Sequence, residues 1–432
     1  MNTNTLENTT ADSNYDAFTI TLQPQAVVSD APRSRSGAQI LGNSEYPAIS
    51  YGAWRSDVRE SGPLVPTVEH QKEDLKILAA MGFKILRTYN TQCFIGLDGK
   101  SNTENLLTAI DELMAEDENF EMYLMLGVWI QAQGAYTDAV DKRLEDTLTN
   151  RAEMDKAIEL AKAYPEIIKV IAVGNEAMVE WQEHDLPIRF ILNYVNELQG
   201  LKTAGSINNN IWITSSDNHA VWSGTDGNAV NQLPCLNALI AAVDYISLHS
   251  YPFHDSYYSN SFWLIPEAEQ TLPELEQVDE AMLRSQGLIL SEFKNAQNYM
   301  LGLGINKPIH IGESGWASET NVNYGKAGSK AADEYKQKVN YALLNAWATD
   351  FGASVFFFQA FDEPWKGGAN NPGDSEKHFG LINKNGEAKF LLWDRVDVGT
   401  FAGLKRGGVP ITKTFIGAEK SVLALVMAPD YK

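Results

Sequence analysis

Two glutamates stand where a solvated surface charge is not expected. Glu176 ends the apolar run Val170-Ile-Ala-Val-Gly-Asn-Glu, and Glu313 lies in Ile309-His-Ile-Gly-Glu-Ser-Gly-Trp. If both segments are strands, the two carboxyl groups leave the ends of two different strands, the fourth and the seventh, and point into one mouth. One carboxyl group can then protonate a departing oxygen while the other attacks carbon or activates water, which is the minimum apparatus for cleaving an acetal. A separation of about 5–5.5 Å would mean retention through a covalent intermediate, and roughly 6.5–9.5 Å would leave room for an inverting water. Asn175, beside the first glutamate, can hold a sugar hydroxyl. Trp129 or Trp316 can offer a flat apolar face to pyranose C–H groups, or can simply pack around the strand ends.

Other constellations are missing from the sequence. The seven histidines form no H-E-x-x-H pattern, no G-x-S-x-G elbow occurs, and Cys93 and Cys235 are too few and too far apart for a zinc site. No metal and no organic cofactor is expected. His249 and His254 near the sixth strand could touch a sugar but read first as structural or solvent-facing residues, and the two cysteines read as buried thiols.

The elements that position these residues repeat as strand then helix. Strands are expected at Ala48–Gly52, Phe83–Tyr89, Met122–Trp129, Val170–Glu176, Ile211–Asp217, Tyr245–Tyr251, Ile309–Trp316 and Ser354–Phe361. A helix is expected from Val68 to Met81, after Pro66-Thr67 and before Gly82, a residue suited to a left-handed C-terminal cap. Eight apolar strands alternating with helices fit a (β/α)8 TIM barrel better than an open doubly wound sheet, and no phosphate-binding glycine loop follows the first strand. Barrel function gathers where strands end. Those ends supply Tyr51, Arg87, Tyr89, Trp129, Asn175, Glu176, Asp217, Tyr251, Glu313, Trp316, Asp362, Glu363 and Lys366.

Outside the barrel, taken as residues 45–395, residues 1–44 read as a polar and mostly loose tail with a possible strand at Phe18–Leu22. Residues 396–432 read as an extension with strands at Pro410–Phe415 and Val422–Met427, the three together forming a small antiparallel appendage or the extension being a disordered tail. The longest strand-to-helix insert is expected from Pro252 to about Ala296. Its aromatics either wall a cleft or pack on the barrel.

The net charge of −22 repels phosphate backbones and anionic surfaces, so nucleic acid is a poor partner while a neutral polymer is unhindered. The first thirty residues carry no basic start followed by an apolar run, and no stretch of about 18 apolar residues occurs, so no targeting signal or membrane span is visible, which leaves either a cytoplasmic protein or a mature or trimmed chain.

Four motifs in order, Arg-Thr-Tyr at 87–89, Val-Gly-Asn-Glu at 173–176, Gly-Glu-Ser-Gly-Trp at 312–316 and Phe-Asp-Glu-Pro-Trp-Lys at 361–366, make residues 46–394 resemble glycoside hydrolase family 17. That family holds β-1,3-glucanases and related glucosyltransferases. The resemblance implies Glu176 as acid/base and Glu313 as nucleophile of a retaining reaction. Glu363 and Lys366 match an accessory carboxylate and amine beside the pair, with Lys366 helping to keep Glu313 ionised and Glu363 helping to keep Glu176 protonated. Tyr251 matches a tyrosine approaching the nucleophile, and Arg87 and Tyr89 match the cleft floor, although Arg87 could equally be a buried structural cation. Tyr51, Trp129, Asn175, Asp217, Trp316, Phe361 and Trp365 complete the expected sugar-facing set. Ser314 stands where the family often has Thr, and Asp362 where it often has Asn. The expected partner is a neutral β-glucan, and the expected protein a secreted or envelope-bound monomer. Hydrolysis of laminarin-type glucan is the leading reading, ahead of transglycosylation with Tyr257, Tyr258, Phe262 and Trp263 as acceptor platforms, a non-catalytic glucan-binding barrel, or a β-1,4-acting relative.

Overall fold

The computed structural model describes residues 19–320, 322–368 and 370–432. Eight strands, β1 (Ala48–Ser50), β2 (Ile85–Arg87), β3 (Tyr123–Val128), β4 (Ile168–Asn175), β5 (Trp212–Asn218), β6 (Ile246–His249), β7 (Ile309–Gly315) and β8 (Val355–Phe358), close into a barrel. Every neighbouring pair is parallel and β8 returns to β1. The fold is the expected (β/α)8 barrel. The first outer helix runs Val68–Ala80 with Thr67 accepting the His70 N–H at its start, and Gly82 just past its end adopts φ 90°.

Alternation along the strands sorts their side chains into two sets. Leu86, Leu124, Leu126, Ile171, Val173, Ile213 and Leu248 point outward and pack against the helices. Ile85, Tyr123, Met125, Val170, Trp212 and Phe356 point inward with Tyr245 and fill the lower half of the barrel. Higher up, the same inward parity turns polar: Ser50, Arg87, Ser216, Ser247 and His249 are all buried. Ser216 Oγ lies 2.8 Å from Ser247 Oγ and 2.7 Å from His249 Nε2. Gly312 belongs to this layer because there is no room for more: a Cβ there would stand 2.0 Å from Ser247 Oγ. An apolar aromatic plug thus carries a close-packed polar floor, and the mouth opens above it.

The ends of the chain differ from expectation. Phe18 lies outside the described residues, and Thr19–Leu22 belong to no strand. The later part of the polar tail is not loose. Ile40 and Leu41 are fully buried, and Asp30 O accepts the Trp212 indole N–H at 3.1 Å, so this segment seals the barrel end opposite the mouth. At the other terminus no separate appendage forms. Lys405–Arg406 and Val409–Pro410 make a two-residue antiparallel hairpin, Thr412–Lys413 pairs in parallel with Glu387–Ala388, and Glu419–Leu423 is helical rather than a strand. The cause is a buried ion cluster. Asp74, on the first helix and fully buried, accepts from Arg406 Nε at 2.9 Å, Arg55 Nη2 at 2.8 Å and Tyr51 OH at 3.1 Å.

The expected long insert is also smaller. Most of it is the 29-residue outer helix Glu274–Gly302, leaving only 252–273 as insertion, with a short helix Pro252–Tyr258 at its start. Within it Phe253, Phe262 and Trp263 are buried, whereas Tyr257 and Tyr258 are exposed. Cys93 and Cys235 are free and half-buried rather than buried.

Removing the shared acceptor should expose how much the C-terminal clamp matters. Asp74→Ala leaves Arg406 buried without its carboxylate and is expected to cost about 3–5 kcal/mol, read as a lowered urea midpoint, whereas Lys384→Ala, at an exposed ion pair with Asp57, should leave the midpoint within about 0.5 kcal/mol.

Candidate active site

The strand ends surround a cleft of about 1440 Å³ whose walls include Tyr51, Tyr89, Trp129, Asn175, Glu176, Tyr251, Glu313, Glu363, Trp365 and Lys366. Glu176 follows β4 with φ 47°, a left-handed conformation that costs a non-glycine residue energy and here turns the carboxyl group into the mouth. A register shift between β4 and β5 at Ala172/Asn175 accompanies that turn, and another between β6 and β7 sets His249 opposite Glu313.

Glu313 is held from two sides. Arg87, 1% exposed, donates from Nη1 to Glu313 Oε2 at 2.5 Å and to Gly312 O at 2.8 Å, and from Nη2 to Asn175 Oδ1 at 2.5 Å. Tyr251 OH donates to Glu313 Oε1 at 2.6 Å. Burial and the Glu313 charge push the Tyr251 phenol well above its ordinary pKa, so it remains a donor.

Glu176 has different partners. His249 Nδ1 lies 3.0 Å from its Oε1, while Nε2 of the same ring is 3.7 Å from Glu313 Oε2. One buried imidazole therefore touches both carboxylates. The second oxygen, Oε2, accepts from the Gln182 side-chain amide. Burial raises the Glu176 pKa, but the hydrogen bonds from His249 and Gln182 outweigh it and hold the group well below the usual carboxylate range.

Several expected residues do other work. Asp217 is buried off the cleft, and its carboxylate accepts the backbone N–H groups of Met178 at 2.9 Å and Asn218 at 2.8 Å, pinning the turn after Glu176. Trp316 does not face sugar. It is fully buried between Phe253 and Trp263, because its indole N–H finds Ala331 O at 2.7 Å inside the packing above β7. Phe361 is likewise buried, edge-on to Tyr51 with Arg406 4.0 Å over its ring. Arg87 is the buried cation rather than an exposed cleft contact. Trp365 lines the cleft with Arg59 stacked 3.3 Å over its ring, so one of its faces is taken. Phe262 and Trp263 are too buried to receive an acceptor sugar.

Glu363 and Lys366 stand at 3.3 Å from each other, with Trp365 Nε1 3.3 Å from Glu363 Oε1 and Lys366 4.1 Å over the Phe358 ring. Gly52 allows that approach, since a Cβ would lie 1.8 Å from the Glu363 carboxylate. The expected tuning of Glu313 by Lys366 and of Glu176 by Glu363 gives way to direct contacts from Arg87, Tyr251, His249 and Gln182.

The weight of His249 at the site, and several cleft-lining residues, were not anticipated. His249 shares the inward parity of Tyr245 and Ser247, which was a usable signal. Gln182, the exposed Trp181 and Arg59, all on the cleft wall, lie on loops and gave none. At the β5–β6 side of the mouth, His219 Nε2 sits 3.2 Å from Glu292 Oε1, and burial raises the nearby Asp255 carboxyl to about 6.

Residues 48–380 match the BtgE/BtgC glycoside hydrolase domain. The chain belongs to this family. Among solved structures, an endo-laminarinase from Formosa Hel1_33_131 is 47% identical, with 92% of this chain and 98% of that one covered at a TM-score of 0.86. The glucan endo-1,3-beta-glucosidase btgC of Emericella nidulans is 23% identical over 329 residues, 74% of this chain and 41% of that protein. The chain spans about two fifths of the length of curated btgC relatives that it matches. A β-1,3-glucanosyltransferase of Rhizomucor miehei, 19% identical at a TM-score of 0.52 over 86% of this chain and 99% of that one, shares the fold. The barrel is thus a BtgE/BtgC-type glycoside hydrolase domain, and Glu176, Glu313 and their partners lie within the matched residues.

In this domain the Tyr251–Glu313 bond can be removed without disturbing packing. Tyr251→Phe is expected to lower kcat about tenfold, the worth of one hydrogen bond to a charged group, with an unchanged melting temperature as the check on folding.

Proposed function

We propose that the chain is a retaining endo-β-1,3-glucanase of glycoside hydrolase family 17, acting on laminarin-type glucan, with Glu176 as acid/base and Glu313 as nucleophile. The observation that carries this reading is the unequal setting of the two glutamates across one imidazole. Glu313 accepts from a buried guanidinium and a phenol, a setting for a carboxylate that stays charged and attacks carbon. Glu176 has only donors that can turn or exchange a proton, a setting for a group that cycles. In the first half-reaction a Glu313 oxygen bonds to the anomeric carbon while the bond to the glycosidic oxygen breaks and that oxygen takes the Glu176 proton. In the second, Glu176 removes a proton from water, the water oxygen bonds to the same carbon, and Glu313 departs.

The likeness at 47% identity to an endo-laminarinase supports the linkage and the internal mode of attack. The open cleft and the net charge of −22 suit a long neutral polymer. No helix among the described residues is long and apolar enough to cross a membrane. We place the protein outside the cell or at its envelope, where polymeric glucan is met, and acting as a monomer without cofactor. Transglycosylation on the same site is the second reading, favoured by the exposed Tyr258 and Trp181 on the cleft walls, which offer acceptor platforms.

Laminarin digestion should release oligosaccharides of mixed length early, with the anomer of the new reducing end retained by NMR, while cellulose gives nothing. Glu313→Gln should lose about 10³-fold or more in kcat yet still bind laminarin. Glu176→Gln should lose nearly as much on laminarin and far less on an activated aryl laminaribioside, because a good leaving group needs no acid. Equal loss on both substrates would remove Glu176 from that role.

A further inference from the structure

We infer that the Gln182 side chain is a positioning residue that occupies, in the empty enzyme, the place of the scissile oxygen on Glu176 and is displaced when glucan binds. The inference rests on the assignment of Glu176 as the acid/base. Oε1 of Glu176 faces the fully buried His249 ring, so Oε2 is the oxygen left for a ligand in the cleft. The Gln182 amide already sits on it.

An amide suits that post in either protonation state. Its N–H donates to the ionised carboxylate, and, turned over, its carbonyl accepts from the protonated one. The leaving oxygen of a glucan must accept the same proton from the same oxygen, so the amide and the glycosidic oxygen compete. Displacement needs only a side-chain rotation, because the loop itself is fastened. Asp217 holds Met178 N at 2.9 Å, Lys142 Nζ donates to Gln182 O at 2.6 Å, and His184 Nε2 lies 2.9 Å from Asn175 O.

The consequence is a change of proton affinity on binding. The groups facing Glu176 are His249 on β6, His184 on its own loop, Asp217 at the end of β5, Tyr251 after β6 and Glu313 on β7, with Arg87 on β2 reached through Asn175. All of these are fixed by buried contacts, and Gln182 alone can leave by a rotamer change. Its hydrogen bond to the ionised carboxylate, being charge-assisted, is stronger than the bond its carbonyl makes to the neutral form, and so lowers the pKa in the free enzyme. A general acid must carry its proton, so the alkaline limb of kcat/KM reports the free-enzyme value and the alkaline limb of kcat reports the complex.

The test is pH–rate profiles on laminarihexaose for wild type, Gln182→Met and Gln182→Ala, with melting temperatures as the folding check. In wild type the kcat/KM limb should fall at lower pH than the kcat limb. Both variants should move the kcat/KM limb upward by on the order of one pH unit and leave the kcat limb where it was. A shift of both limbs together would mean that Gln182 stays on Glu176 in the complex, and no shift would mean that it is not on the acid at all. Either result overturns the inference. Glu176→Gln on the hexaose separates the two levels: an alkaline limb that persists in its residual activity would remove the acid assignment itself, and the inference with it.

Discussion

The site depends on one buried ion pair. Arg87 sits inside the barrel, where an unpaired guanidinium would cost several kcal/mol, and Glu313 is the charge that makes its burial tolerable. The same cation orients Asn175 through Nη2 and clamps the β7 backbone through Gly312 O, so three strands are tied at their ends by one side chain. The arrangement leaves little room for other residues below it: the serine layer and Gly312 fill the floor, and Trp212, Tyr245 and Phe356 fill the barrel beneath. A carboxylate bound in this way has its direction fixed before any ligand arrives, which is the pre-organisation the proposed nucleophile requires.

The proposed acid side is built on the opposite principle. Glu176 owes its place to a left-handed backbone and to the Asp217 contacts that hold the following turn, yet its own oxygens meet only His249 and Gln182. Rigid support under one carboxylate and one displaceable partner on the other match what the two proposed roles demand. His249 joins them, and its Nε2 contact to Ser216 ties that junction to the packed floor.

Much of this was readable in the chain. All eight strands were, because parallel strands buried on both faces are short apolar runs, and the two glutamates stood out because each closes such a run. What resisted was direction. Trp129 and Trp316 both follow strand ends, but only Trp129 reaches the cleft, stacked 4.6 Å from His184, while Trp316 turns into the layer above β7 to satisfy its indole N–H. Asp217 looked like a sugar ligand and is a backbone clamp, a distinction set by where Met178 N points rather than by residue type. The C-terminal segment resisted for another reason: Arg406 meets Asp74 across 332 positions of sequence, and no local pattern encodes so distant a pairing.

The central claim is that Glu313, charged and held by Arg87 and Tyr251, bonds to the anomeric carbon. Treating the protein with 2,4-dinitrophenyl 2-deoxy-2-fluoro-β-laminaribioside, which slows release of the glycosyl group, followed by mass spectrometry of the intact chain and its peptides, tests this directly. The account predicts one fluoroglycosyl adduct per chain, on the peptide containing Glu313, and none in Glu313→Gln. An adduct on another residue, or steady turnover with inversion and no adduct, would contradict it.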